Sequence, residues 1–88
     1  MTAVYLIQNT ATKERYIGHT NNLQRRISEH NRGLQTATKR YVGQWILVYA
    51  EIYRNFDDAL VREHRLKNHG RAKQELYKRI ENSMLRKS

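Results

Sequence analysis

Apolar positions along this 88-residue chain fall into two extended runs and three helical stripes. Ala3 to Gln8 is rich in β-branched and aromatic residues and stops at Asn9-Thr10, the pattern of a strand. Arg15 to Gly18 predicts its partner, an antiparallel hairpin closed by a longer turn through Asn9–Glu14. Thr20-Asn21-Asn22 offers N-cap residues for a helix ending near His30 or Asn31, where Gly33 is free to take a left-handed conformation. Trp45 to Ala50 is an unbroken apolar run, the pattern of a strand covered on both faces. Asn55 caps a second helix, from Phe56 to about His69, with Asp57 and Asp58 at its positive end. Gly70 interrupts, and Ala72, Leu76, Tyr77 and Ile80 stripe a third helix from Arg71 to about Asn82. The order β-β-α-β-α-α predicts an α+β fold, a small three-stranded antiparallel sheet flanked by three helices. Residues 1–82 form one domain, and 83–88 read as a frayed, disordered tail.

Two charged residues break this pattern. At about 100° per residue, Leu23, Ile27 and His30 share one face of the first helix, and Arg26 lies about 60° from Leu23 on it. Arg25 points to the opposite side. On the second helix Phe56, Ala59, Leu60 and Leu66 define the apolar face, and Glu63 projects between Ala59 and Leu60. A carboxylate on a core stripe costs free energy unless it is paired, ligated or used as an acid or base. One alternative is an Arg26–Glu63 ion pair with no further role. Another has Arg26 snorkelling at the rim of the core.

Composition narrows the function. Seventeen Lys plus Arg against eight Asp plus Glu give a formal charge of +9, spread from Lys13 to Lys87 rather than gathered in a tail. That charge suits a polyanion, nucleic acid first, and the expected binding is electrostatic. There is no cysteine, so no disulfide framework and no thiolate zinc site. No stretch is long enough to span a bilayer, no helix has the face of a membrane-surface helix, and Met1-Thr2-Ala3-Val4 does not open a signal peptide. The expected location is the cytoplasm. His64 and His69 are five apart, the wrong spacing for a shared metal on a helix.

The charged misfits join a longer pattern. Ala3-Val4-Tyr5, then Tyr16-Ile17-Gly18, then Thr20-Asn21-Asn22-Leu23 leading to Arg26 and His30, then Ala59-Leu60-Val61-Arg62-Glu63 with Leu66-Lys67, stand in the order and spacing of the GIY-YIG nucleases. The chain resembles that family's small stand-alone members over residues 3 to 80. Ala3 and Val4 replace the glycine and isoleucine that name the first motif.

The resemblance implies a metal-dependent endonuclease that hydrolyses phosphodiester bonds in DNA, in repair, recombination or the processing of branched structures. The alternative is a nucleic-acid-binding module that keeps the fold without cutting. On this resemblance Glu63 holds one Mg²⁺ or Mn²⁺ and Arg26 stabilises charge in the transition state. Tyr5 is the general base or orients the attacking water, and Tyr16 supports it. His30 binds phosphate or relays a proton, or is a packed core histidine. Arg15, Thr20, Asn22, Arg25, Arg32, Lys39, Arg40, Lys67, Arg71 and Lys73 are the expected nucleic-acid contacts. DNA is the expected substrate, RNA the other candidate, and a protein partner is a candidate source of target choice, since the chain has no appended DNA-binding domain.

Overall fold

The computed structural model describes residues 1–35, 38 and 42–86. Its elements are β1 (Thr2–Asn9), β2 (Arg15–Thr20), α1 (Leu23–Asn31), β3 (Trp45–Tyr53), α2 (Phe56–Asn68) and α3 (Gly70–Arg79), followed by a 3₁₀ turn at Glu81–Ser83. The α+β architecture and the element order are those the sequence predicts.

The strands lie in the order β2-β1-β3, antiparallel throughout. The central strand is β1, buried along its whole length. Trp45–Tyr53 is instead an edge, with Leu47 43% and Ile52 58% exposed, which corrects the expectation that it is covered on both faces. An apolar run cannot by itself distinguish a central strand from an edge one.

Alternate residues of β1 enter two different cores. Val4 and Leu6 join Ile17, Ala59, Leu66, Leu76 and Ile80 in an aliphatic core beneath α2 and α3. Tyr5 and Ile7 join Trp45 beneath α1, against Tyr16, Leu23 and Ile27. A bulge keeps β3 compatible with both. Leu6 pairs with Tyr49 but Ile7 pairs with Leu47, leaving Val48 as the extra residue. Val48 and Tyr49 therefore both pack on the aliphatic side, and the face is reset so that Trp45 reaches the other.

Helix α1 is fixed at both ends. The Asn22 side chain accepts from the Arg25 N–H at 3.1 Å. At the far end Gly33 (φ +72) donates to the His30 carbonyl and Leu34 to the Glu29 carbonyl, a Schellman closure that needs the left-handed residue. Asn31 then spans to β3, donating to the Trp45 carbonyl at 3.0 Å and accepting from its N–H at 2.6 Å. The side chain substitutes for a neighbouring strand and holds the helix over the sheet.

The segment expected to be a frayed tail is tied down where it is described. Buried Gln8 accepts from the Leu85 N–H at 2.7 Å and donates to the Leu85 carbonyl at 3.1 Å. Lys87 and Ser88 lie outside the described residues.

Candidate active site

The site forms where β1, β2, α1 and α2 meet. On β2, alternation sends Tyr16, Gly18 and Thr20 toward α1, and Arg15, Ile17 and His19 toward α2 and α3. Tyr5 pairs with Gly18 across the strands. A Cβ on Gly18 would lie 2.6 Å from the Tyr5 hydroxyl oxygen, so the phenol can lie across β2 only because that residue has no side chain.

Around Tyr5 the structure gathers three of the predicted residues. Its hydroxyl is 2.8 Å from His30 Nε2, and its ring centroid is 6.3 Å from that of Tyr16. The Tyr16 ring meets His30 edge-on at 5.1 Å. His30 Nδ1 is 2.7 Å from the Thr38 hydroxyl, which has the Gln35 carbonyl as its acceptor at 3.5 Å. That carbonyl sets the direction: Thr38 donates to Gln35, His30 Nδ1–H donates to Thr38, and Nε2 accepts from Tyr5. Burial raises the Tyr5 hydroxyl pKa far above 10, with the neighbouring Tyr16 adding to it and Arg26 working against it. Burial, then the Arg26 charge, lower His30 below 6.5. Both groups are neutral at neutral pH, and a one-way hydrogen-bond chain joins them.

Arg26 is half-buried, whereas Arg25 is exposed, as the helix projection requires. Arg26 Nε is buried and lies 3.1 Å from Glu29 Oε1 as an ion pair, out of line for a hydrogen bond, and the guanidinium also bonds the Tyr5 hydroxyl. A buried donor held out of line with its carboxylate partner is poorly satisfied, and an anionic ligand can satisfy it better. Arg26 lines a cavity of about 280 Å³ with His19, Thr20 and Phe56.

Glu63 does not pair with Arg26. Its Oε1 is 2.7 Å from His19 Nδ1 and its Oε2 is 3.1 Å from Lys67 Nζ, with the side chain 13% exposed. The residue before it sets this aim. Arg62 donates from Nε and Nη2 to Glu51 at 2.9 Å each, and Glu51 also accepts from the Tyr49 and Tyr53 hydroxyls. Burial opposes the charge on Glu51, but these donors outweigh it and hold the carboxyl below its ordinary value. The fork locks α2 against β3 and turns Glu63 toward β2.

Residues 1–80 match the family model of the GIY-YIG catalytic domain. The chain belongs to the GIY-YIG family. A solved relative of this family's fold is the UPF0213 protein BH0048 from Bacillus halodurans, determined by solution NMR. The two share 27% identity over 86% of this chain and 81% of the other, with a TM-score of 0.52. No curated protein sequence matches the chain. Among the described residues no helix is long and apolar enough to cross a membrane.

Two residues of this GIY-YIG site escape the sequence reading. His19, one residue past the end of the predicted second strand, is in β2 and holds Glu63. Phe56, expected in the apolar stripe, is 52% exposed and meets His19 edge-on at 5.7 Å. The tyrosine-to-glycine alternation on β2 was the available signal for His19: one residue past Gly18 must face α2. Phe56 carried no such signal, because the first helical turn can tilt off the core.

The expected nucleic-acid contacts separate into groups. Thr20 is 3% exposed, and its hydroxyl accepts from the Asn22 N–H and donates to the Asn22 carbonyl, so it shapes the turn into α1. Asn22 is occupied as the N-cap. The Thr20 hydroxyl is consumed in starting the helix, whereas the Asn22 amide gives only its oxygen to the cap and keeps its Nδ2 donors on an exposed residue. Arg25 and Arg32 are exposed on α1 and at its end. Arg71, with its side chain 91% exposed, pairs with Glu75 one turn on. Lys67 lies on the Tyr16 ring at 5.4 Å as well as on Glu63. Arg15 and Lys73 line a separate cleft. Lys39 and Arg40 lie outside the described residues.

Whether the site suits a divalent cation turns on Glu63. Among the described residues no group of three or more His, Cys, Asp or Glu side chains could hold one. The donor set is a single carboxylate, each oxygen of which keeps a second lone pair beside its present partner. Lys67 is long, with its side chain 42% exposed, and can swing aside. This fits a hydrated Mg²⁺ or Mn²⁺ that keeps most of its waters and takes phosphate oxygens. It does not fit a caged ion.

Proposed function

We propose that this chain is a metal-dependent endonuclease that hydrolyses phosphodiester bonds in DNA. The observation that carries this reading is the buried, acceptor-less Arg26 Nε beside the Tyr5–His30–Thr38 chain. A buried cation whose Nε makes no hydrogen bond in the free protein, next to a pathway that can take up a proton, suits a reaction that adds water to an anionic ester.

The roles follow from the geometry. A phosphate in the cavity places a non-bridging oxygen against Arg26, whose fixed charge is worth most as negative charge builds in the transition state. The attacking water enters beside Arg26 and meets the Tyr5 oxygen. Neutral Tyr5 cannot act as a base alone. It can accept the water proton while its own passes to His30 Nε2, leaving an imidazolium whose Nδ1–H stays on Thr38. Tyr16 packs against both rings and fixes their orientation. Glu63 would hold a divalent cation, which when bound supplies charge stabilisation at the leaving oxygen. A place in DNA repair or the processing of branched structures, cytoplasmic location and a partner supplying target choice belong to the same proposal.

A cleavage panel tests it: single-stranded, duplex, branched and damaged DNA, and RNA, each with Mg²⁺, Mn²⁺ or a chelator. Cleavage of a DNA substrate only with metal is expected. Binding without cleavage on every substrate would replace this reading with the binding-module alternative.

A further inference from the structure

Away from the cavity that Arg26 lines, the opposite end of β2 carries a second cationic feature. Exposed Arg15 lies with its guanidinium carbon 4.5 Å from the centroid of the Tyr77 ring. It separates two clefts, of about 270 Å³ and about 360 Å³. Lys13, Glu14, Lys73 and Tyr77 line the first with Arg15; Glu81, Met84, Leu85 and Arg86 line the second with it. Four cations thus face two carboxylates, and Tyr77 holds the central guanidinium through its ring and a hydrogen bond, which leaves part of the five-donor fork for a ligand.

The arrangement is built rather than incidental. Gln8, with no exposed surface, uses one amide to fasten both flanks of Arg15. Its Nε2 donates to the Lys13 carbonyl and to the Leu85 carbonyl, each at 3.1 Å, and its Oε1 accepts from the Leu85 N–H. Lys13 takes a left-handed conformation there (φ 66), and its ammonium bonds the Thr10 carbonyl with donors to spare. The clamp brings the hairpin turn and the chain's last described residues to either side of one arginine.

Arg15 and His19 point to the same side of β2, four residues apart, which is about 13 Å at a strand rise of about 3.3 Å. His19 is bonded to Glu63. With the duplex axis laid along β2, at about 3.4 Å of axis per nucleotide of each strand, that separation is about four nucleotides.

We propose that the Arg15 cleft is a second phosphate-binding site, which grips the DNA backbone about four nucleotides from the scissile position. It rests on the nucleic-acid reading above and adds a direction to it: the strand leaves the active site along β2 toward the hairpin turn.

The test is fluorescence anisotropy on a labelled mixed-sequence duplex of about twenty base pairs, in chelator so that nothing is cut. Arg15→Gln/Lys73→Gln is compared with Arg54→Gln/Arg79→Gln, which removes the same charge on the β3 side. The cleft pair should lose about tenfold in affinity, the scale of a charge-assisted contact. Its slope of log K against log salt should become shallower by about 1.8, while the control slope stays near wild type. Equal losses in both pairs would mean that only net charge matters and would overturn the site. So would wild-type affinity in the cleft pair, the result expected if the cleft serves an acidic protein instead. If the cleft pair melts early, Arg86→Gln, on an exposed residue outside every helix and strand, replaces it, with an expected slope change of about 0.9. Wild-type protein that binds but never cuts in Mg²⁺ would remove the nuclease reading and leave this one. Cutting protein whose cleft variants bind normally would do the reverse.

Discussion

Successive residues of β1 serve two different structures. Val4 and Leu6 enter a core of aliphatic side chains under α2 and α3. Tyr5, between them, enters a layer under α1 whose contacts include hydroxyl–imidazole hydrogen bonds and ring edges. The first layer is apolar, so it gains from burial and leaves no polar group unsatisfied. The second buries a phenol, a histidine and part of an arginine, each of which costs something to desolvate. A domain this small has little surplus stability to spend on such groups. The contrast shows a division within a single strand: one face supplies stability, and the other uses part of it to hold Tyr5 and His30 buried and neutral.

The largest expected effect tests the reactive side. Glu63→Gln should abolish Mg²⁺-dependent cleavage, since the cation loses its one charged ligand, while DNA binding persists. Stability should change little, because the Gln side chain can still accept from His19, and the ion pair given up is to Lys67, whose side chain is 42% exposed. Cleavage retained with a lowered melting temperature would make Glu63 a structural partner of His19 and Lys67.

Next comes Arg26. Arg26→Ala should cut turnover by about a hundredfold or more, the scale of a lost transition-state donor. Arg25→Ala, one residue away and exposed, should mainly weaken binding. Equal loss of turnover in both would erase the distinction between the faces of α1.

Leu66→Ala probes the stabilising side. Leu66 is 1% exposed, and truncating it should cost about 2–5 kcal/mol in denaturant unfolding. Turnover per folded molecule should stay near wild type. A loss as deep as that of Arg26→Ala would break the division of labour.

The smallest effect is the pH dependence of the reactive layer. The folded protein holds His30 below 6.5, through burial and the Arg26 charge. Between that lowered value and 6.5 the unfolded chain binds more protons, so stability is full above 6.5 and falls as pH drops through the window. Melting temperatures from pH 8 to pH 5 should show this, and His30→Asn should flatten the slope. Glu51, also below its ordinary value, adds its own loss only under more acidic conditions.

What was legible in the sequence was local. The caps Asn22 and Asn55, the breaks at Gly33 and Gly70 and the apolar periods set the elements to within a few residues, because those free energies act over one or two turns. The inward lean of Arg26 and Glu63 was legible for the same reason: a helix fixes the angle between neighbours. The gathering of Tyr5, Tyr16, Arg26 and His30 followed from motif order, not from any energy visible along the chain.

Tertiary structure decided the rest, through contacts between residues far apart in sequence. It made β1 the central strand and β3 an edge, since an apolar run gains equally from several neighbours. It paired Glu63 with His19 and Lys67 rather than Arg26, because α2 and α1 pack on opposite faces of the sheet and the Glu51–Arg62 fork sets the rotation of α2. It tied Leu85 to Gln8 across 77 residues, where position at the end of the sequence predicted a loose segment. A polar amide in the middle of a strand says only that it needs partners when buried; which backbone supplies them depends on the fold that buries it.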